Sequence, residues 1–108
     1  MILNLTPHAL QLRKADGSVL TLPPSGRIAR VAAQDVVEGE IEGLLLHRMT
    51  LGQEITDLPA PEPGVVYVAS LLAAQAAVAM GRSDVFAPGP AIRDADGRIV
   101  GADGLSRP

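Results

Sequence analysis

The chain has 108 residues, the size of a single domain (1–108), and its 47% apolar content is enough for a core. Tyr67 and Phe86 are the only aromatic residues and the net charge is −3, so both the basic field and the stacking platform of a nucleic-acid binder are missing. There is no cysteine, which excludes disulfides, thiolate metal sites and cysteine nucleophiles and suits a reducing cytoplasm.

Met1-Ile2-Leu3-Asn4 has no charged region of the kind that opens a signal peptide. No apolar run approaches the ~20 residues that span a bilayer, so no membrane partner is expected. Arginine outnumbers lysine eight to one, as base composition in a GC-rich genome would produce.

Residues 2–33 read as two β-hairpins or a meander. Leu10 and Leu12 alternate with Gln11 and Arg13, Asp16-Gly17 turns the chain, and Val19-Leu20-Thr21-Leu22 returns it. Pro23-Pro24-Ser25-Gly26 is the next corner, followed by Arg27-Ile28-Ala29-Arg30-Val31. Asp35, Glu38, Glu40 and Glu42 then make an acidic strand edge or loop, of the kind that blocks aggregation. Leu44 to Ile55 reads as one or two short strands around Gly52. Three prolines between Leu58 and Gly64 rule out a mid-sheet strand there, because proline has no N–H to give.

Residues 65–69 are almost continuously apolar, which predicts a strand buried on both faces. A helix follows over 71–80, with Ser70 at its N-cap and Gly81 in the left-handed conformation at its end. Apart from Gln75 this helix has no polar position, so either sheets wrap it or a second subunit covers part of it. Asp84-Val85-Phe86 is a short strand and Pro88-Gly89-Pro90 a corner. Ala91-Ile92-Arg93 pairs with Arg98-Ile99-Val100 around Asp96-Gly97. The tail from Asp103 is expected to be at most partly ordered. Together these elements predict an α+β fold: a mostly antiparallel curved sheet or small barrel around one central helix.

Three places suit an anion. A helix N-terminus at Ser70, after a buried strand, presents free N–H groups and the positive end of the dipole; a plain cap looks the same in sequence. At Ser25-Gly26-Arg27 with Arg30, a glycine corner lets backbone N–H groups approach a ligand and arginine forks grip phosphate or carboxylate; an ordinary turn is the alternative. Arg82-Ser83-Asp84 either continues that site or serves the helix end. In the ligand reading Arg27, Arg30 and Arg82 hold the anion, Ser25, Gly26 and Ser70 donate hydrogen bonds, and Tyr67 or Phe86 stacks on a base. His8 and His47 are isolated and make no metal site. Asp94-Ala95-Asp96-Gly97 imitates the opening of a calcium loop but lacks its later ligands. No nucleophile–base–orienter set can be named, so no enzyme and no cofactor are expected.

Asn4-Leu5-Thr6-Pro7-His8, Pro23-Pro24-Ser25-Gly26, Gly64-Val65-Val66-Tyr67-Val68-Ala69-Ser70, Arg82-Ser83-Asp84 and Pro88-Gly89 occur in that order. In this the chain resembles uncharacterised short proteins of bacteriophages and of bacteria, prophages included, that begin with an Asn-Leu-Thr-Pro-His motif. The resemblance covers nearly the whole chain but its motifs are tied to no chemistry. A phage setting implies one class of role: a small folded protein that sequesters a phosphorylated, nucleotide-type host immune signal, or one that binds a host protein. The expectation is therefore a non-enzymatic, homo-oligomeric binder of a small anionic ligand; the alternative is a protein–protein interaction module, either an inhibitor or an assembly component.

Overall fold

In the computed structural model the strands are β1 (Ile2–Asn4), β2 (Leu10–Arg13), β3 (Val19–Leu22), β4 (Arg30–Ile41), β5 (Leu44–Thr56) and β6 (Val66–Val68). The single helix α1 (Leu71–Ala79) follows, then β7 (Val85–Pro88), β8 (Ala91–Arg93), β9 (Ile99–Asp103) and β10 (Leu105–Ser106). The backbone is described throughout residues 1–108, and the side chains of all but residues 33 and 51–53.

The strands form three sheets, in the orders β1-β6-β7-β10, β3-β2-β9-β8 and β4-β5. The fold is α+β as expected, but the four-stranded sheets stay open and no barrel closes. Both Asp-Gly hairpins form, β2 against β3 and β8 against β9. Their turns share one hydrogen-bond pattern: the Lys14 N–H donates to the Ser18 carbonyl and the Asp94 N–H to the Arg98 carbonyl, with glycine at positive φ in each. Of the two hairpins or meander expected over 2–33, the β2–β3 hairpin forms, and the remaining pairing is with distant strands. β1 runs parallel to β6, and β2 parallel to β9.

β6 is the centre of the molecule. Tyr67 points into a core with Leu5, Ala29, Ala73, Ala74, Ala77 and Val85. Val68 points the other way, onto Leu12, Leu22 and Ala102 of the second sheet. The layers are thus α1, then the first sheet, then the second. This arrangement is why 65–69 reads as apolar on both faces.

α1 buries only its small side, Ala73, Ala74, Ala76 and Ala77, and leaves Leu71 and Leu72 more than half exposed. The alanines let the helix lie close on the sheet. A Schellman motif ends it: the Gly81 N–H donates to the Val78 carbonyl and the Arg82 N–H to the Ala77 carbonyl, with Gly81 at φ 90°. The helix is too short to cross a membrane.

Two sequence expectations are corrected. Residues 44–56 form one long strand, because β4 offers a partner along nearly its whole length. The tail is tied down, with β10 pairing with β7 after Gly104 turns the chain. The β4–β5 hairpin projects as an arm. It gives the molecule extents of 52 × 40 × 22 Å and a radius of gyration of 16.5 Å, against about 13 Å for a compact chain of this length.

Candidate functional site: an arginine and a helix N-terminus around one cavity

The opening motif is an internal knot. Asn4 is buried, and its side-chain amide donates to the His8 carbonyl at 2.8 Å and to the Leu22 carbonyl at 3.1 Å. Its Oδ1 accepts from the Thr6 N–H at 2.9 Å and lies 2.6 Å from the Thr6 hydroxyl. The Asn4 backbone carbonyl accepts from both the N–H and the hydroxyl of Ser25. Leu5 is held on both sides: its N–H donates to the Val68 carbonyl and its carbonyl accepts from the Ala29 N–H. A buried amide with every polar atom paired fixes its surroundings, since unmaking any bond strands a buried partner.

That knot shapes one wall of a cavity of about 300 Å³. Leu5, Thr6 and Pro7 line it beside Ile28–Val31, together with Ser70 and Leu72. Arg30 lines it and has no ion-pair partner among the described residues. Ser70 caps the helix by accepting from the Ala73 N–H at 3.3 Å. The N–H groups of Leu71 and Leu72 have no acceptor among the described residues, and the first turn holds no acidic side chain. Arg30 and the N-terminal residues Ser70 and Leu72 of the helix thus line one opening, where a cation and the positive end of a helix dipole both favour an anion.

The other expected site residues fall elsewhere. Ser25 and Gly26 form the corner beside the Asn4 knot, with the Ser25 hydroxyl spent on the Asn4 carbonyl. Gly26 sits at φ 95°, as the corner requires. Arg27 and Ser83 are exposed, and neither lines the cavity. Arg82 is committed to structure. Its Nε and Nη2 each reach Asp84 at 2.9 Å, and Nη2 also donates to the Pro59 carbonyl. This fork holds the Asp84 carboxyl below the usual carboxylate range and raises the Arg82 guanidinium. Tyr67 is buried, its hydroxyl donates to the Ala60 carbonyl, and its ring leaves no face for a base. Phe86 is half-buried with the Arg107 guanidinium 5.1 Å from its ring centroid.

Sequence reasoning missed the contribution of Thr6 and Pro7 to the cavity wall. The motif that contains them was visible, but its place beside Arg30 depends on the parallel pairing of β1 with β6. Two other features carry no site. Asp94 Oδ1 is taken by the Asp96 and Arg98 N–H groups, and no cluster of three metal-ligating side chains exists among the described residues. A second cavity of about 340 Å³, between Leu10, Leu12 and Ile99, is lined without a charged side chain.

No family model, curated protein or solved structure matches this chain.

Proposed function

We propose that this protein is a non-enzymatic, cytoplasmic binder of a small phosphorylated ligand of the nucleotide class, held at the Arg30–Ser70 cavity. The observation that carries the reading is that Arg30 and the N-terminal residues Ser70 and Leu72 of α1 line the same cavity of about 300 Å³. Arg30 would take a phosphate in its fork, and the Leu71 and Leu72 N–H groups would donate to the same group. Arg82 and Tyr67, expected from sequence to share the site, are omitted because both are already bonded within the fold. In the phage setting that the resemblance implies, such a protein would sequester a host signal without converting it.

Calorimetry against inorganic phosphate and a panel of cyclic and linear nucleotides tests this. At least one phosphorylated compound is expected to bind. Arg30→Ala should weaken that binding tenfold or more, about 1.4 kcal/mol, with Arg30→Lys intermediate because an ammonium cannot reproduce the fork. No binding across the panel, or binding unchanged in Arg30→Ala, overturns the reading.

A protein–protein module is the second reading. It is favoured by the exposed Leu71, Leu72, Val78 and Met80 on the outer side of α1.

A further inference from the structure

Beyond its base, where Ile55 packs against the core, the β4–β5 arm is a two-stranded ribbon paired with no other strand among the described residues. Two-stranded ribbons are marginal in water on their own, and an unpaired strand edge is a template for another strand. The outer edge of β5 pairs with no strand among the described residues. Val36, Val37, Ile41, Leu45 and Met49 all expose more than half of their surface, and Leu44 is 72% exposed.

The two edges differ in chemistry. β4 carries Asp35, Glu38 and Glu40, with Glu42 in the turn beyond. Residues 44–50 of β5 carry Leu44, Leu45, Leu46 and Met49, and their polar side chains His47 and Arg48 already bond to β4. Arg48 is bound to Glu38 at 2.7 Å, and His47 lies 3.0 Å from Asp35. Joining two β4 edges would bring six carboxylates together, which is unfavourable. Joining two β5 edges leaves the Arg48–Glu38 ion pair and the His47–Asp35 contact intact and sends the acidic strands outward. Central aliphatic strands flanked by charged edges are how natural sheets protect themselves.

The occupant is set by length. Residues 44–50 span about 24 Å. The outer strands of the two four-stranded sheets, β1, β10, β3 and β8, are only two to four residues long. Within this molecule, only a second arm offers a matching edge. We infer that two copies of the chain pair through β5 of the arm, antiparallel, to form a continuous four-stranded β4-β5-β5-β4 sheet. This inference is independent of the Arg30 cavity and does not need the ligand to exist.

Because the chain has no cysteine, disulfide trapping reads the pairing cleanly. Single cysteines are placed one at a time at 44–50 and at 35–41, and the proteins are oxidised in solution. A two-fold antiparallel pair brings only residues near its axis within the ~4.4–6.8 Å Cα separation that a disulfide needs. The expected result is covalent dimer at one or two neighbouring β5 positions and none along β4. Dimer along β4, at every position alike, or at no position overturns the inference. Sedimentation of Leu45→Glu/Met49→Glu supplies a second measurement. Loss of the dimer with an unchanged circular dichroism spectrum supports β5 pairing. A dimer that survives both charges overturns it. Should the variant misfold, hydrogen exchange of the unaltered protein replaces it. Amides in 44–50 should become protected as concentration rises, and protection independent of concentration rejects the dimer.

Discussion

Arg82 grips Asp84 two residues along the chain, and the same guanidinium reaches back to the Pro59 carbonyl. It thereby ties the end of α1 to the proline crossing that leads into β6. Both side chains are only 17% exposed. Arg82→Ala strands a carboxylate and a carbonyl, and is expected to lower stability by about 2 kcal/mol in urea titration. The bond to Arg82 depresses the folded-state pKa of Asp84. Its contribution is therefore fully present above the unfolded value of about 3.9 and is lost as pH falls through the lower folded value. Arg82→Ala should lose this part of the acid dependence; an unchanged acid limb in the variant rejects the assignment.

Asn4 gives a sharper test, because its amide end donates to two carbonyls. Asn4→Ala should cost roughly 3 kcal/mol. Asn4→Asp keeps the shape but points an oxygen at the His8 and Leu22 carbonyls, so it should destabilise at least as much at neutral pH. The introduced carboxyl would have a raised folded pKa, so stability should recover as pH drops and it regains a donor. Chemical denaturation at neutral and mildly acidic pH reads both effects. A neutral Asn4→Asp variant would show that the knot is ornamental.

The alanine side of α1 leaves no room. Ala74 and Ala77 are fully buried against Tyr67, Val85 and Ala87. Ala74→Leu and Ala77→Leu should each cost roughly 1–3 kcal/mol through overpacking. Gln75→Leu, on the exposed side, should be close to neutral. Thermal melts of the three variants separate these outcomes.

Gly89 lies where the Asp103 carbonyl approaches, and a Cβ there would overlap that oxygen. Gly89→Ala is expected to detach β10 from β7, visible as faster amide exchange at residues 105–106. A variant that keeps slow exchange would mean that the backbone yields easily at this corner.

Strands bounded by Asp-Gly turns were legible because the turn chemistry is local. So were β6, whose burial is written in continuous apolar residues, and the position of α1, although only its alanine side is buried. The arm turn was not legible. Glu42-Gly43 joins β4 to β5 with both residues at positive φ, and glutamate is a poor signal for a conformation that asparagine or glycine usually supplies. The parallel partners of β1 and β2 were hidden for another reason. Parallel pairing of Ile2 with Val66 and of Leu12 with Ala102 leaves no trace in neighbouring residues. The candidate site suffered likewise. Arg30 and Ser70 are both legible, but Arg82 and Tyr67 also suit an anion or base site by residue type, although Asp84 of the same motif and the distant Ala60 carbonyl already hold them.

The pairing of β2 with β9 also sets a timetable. Arg13 and Asp103, side by side in the sheet, are 90 positions apart. During synthesis β2 leaves the ribosome long before β9 exists. Its hairpin with β3 has to wait, one edge bare, while the β4–β5 arm zips up from purely local contacts. Such late long-range closure makes folding slow and exposes half-made sheets to their neighbours. The second sheet is thus the step at which a growing chain is most vulnerable to misassembly.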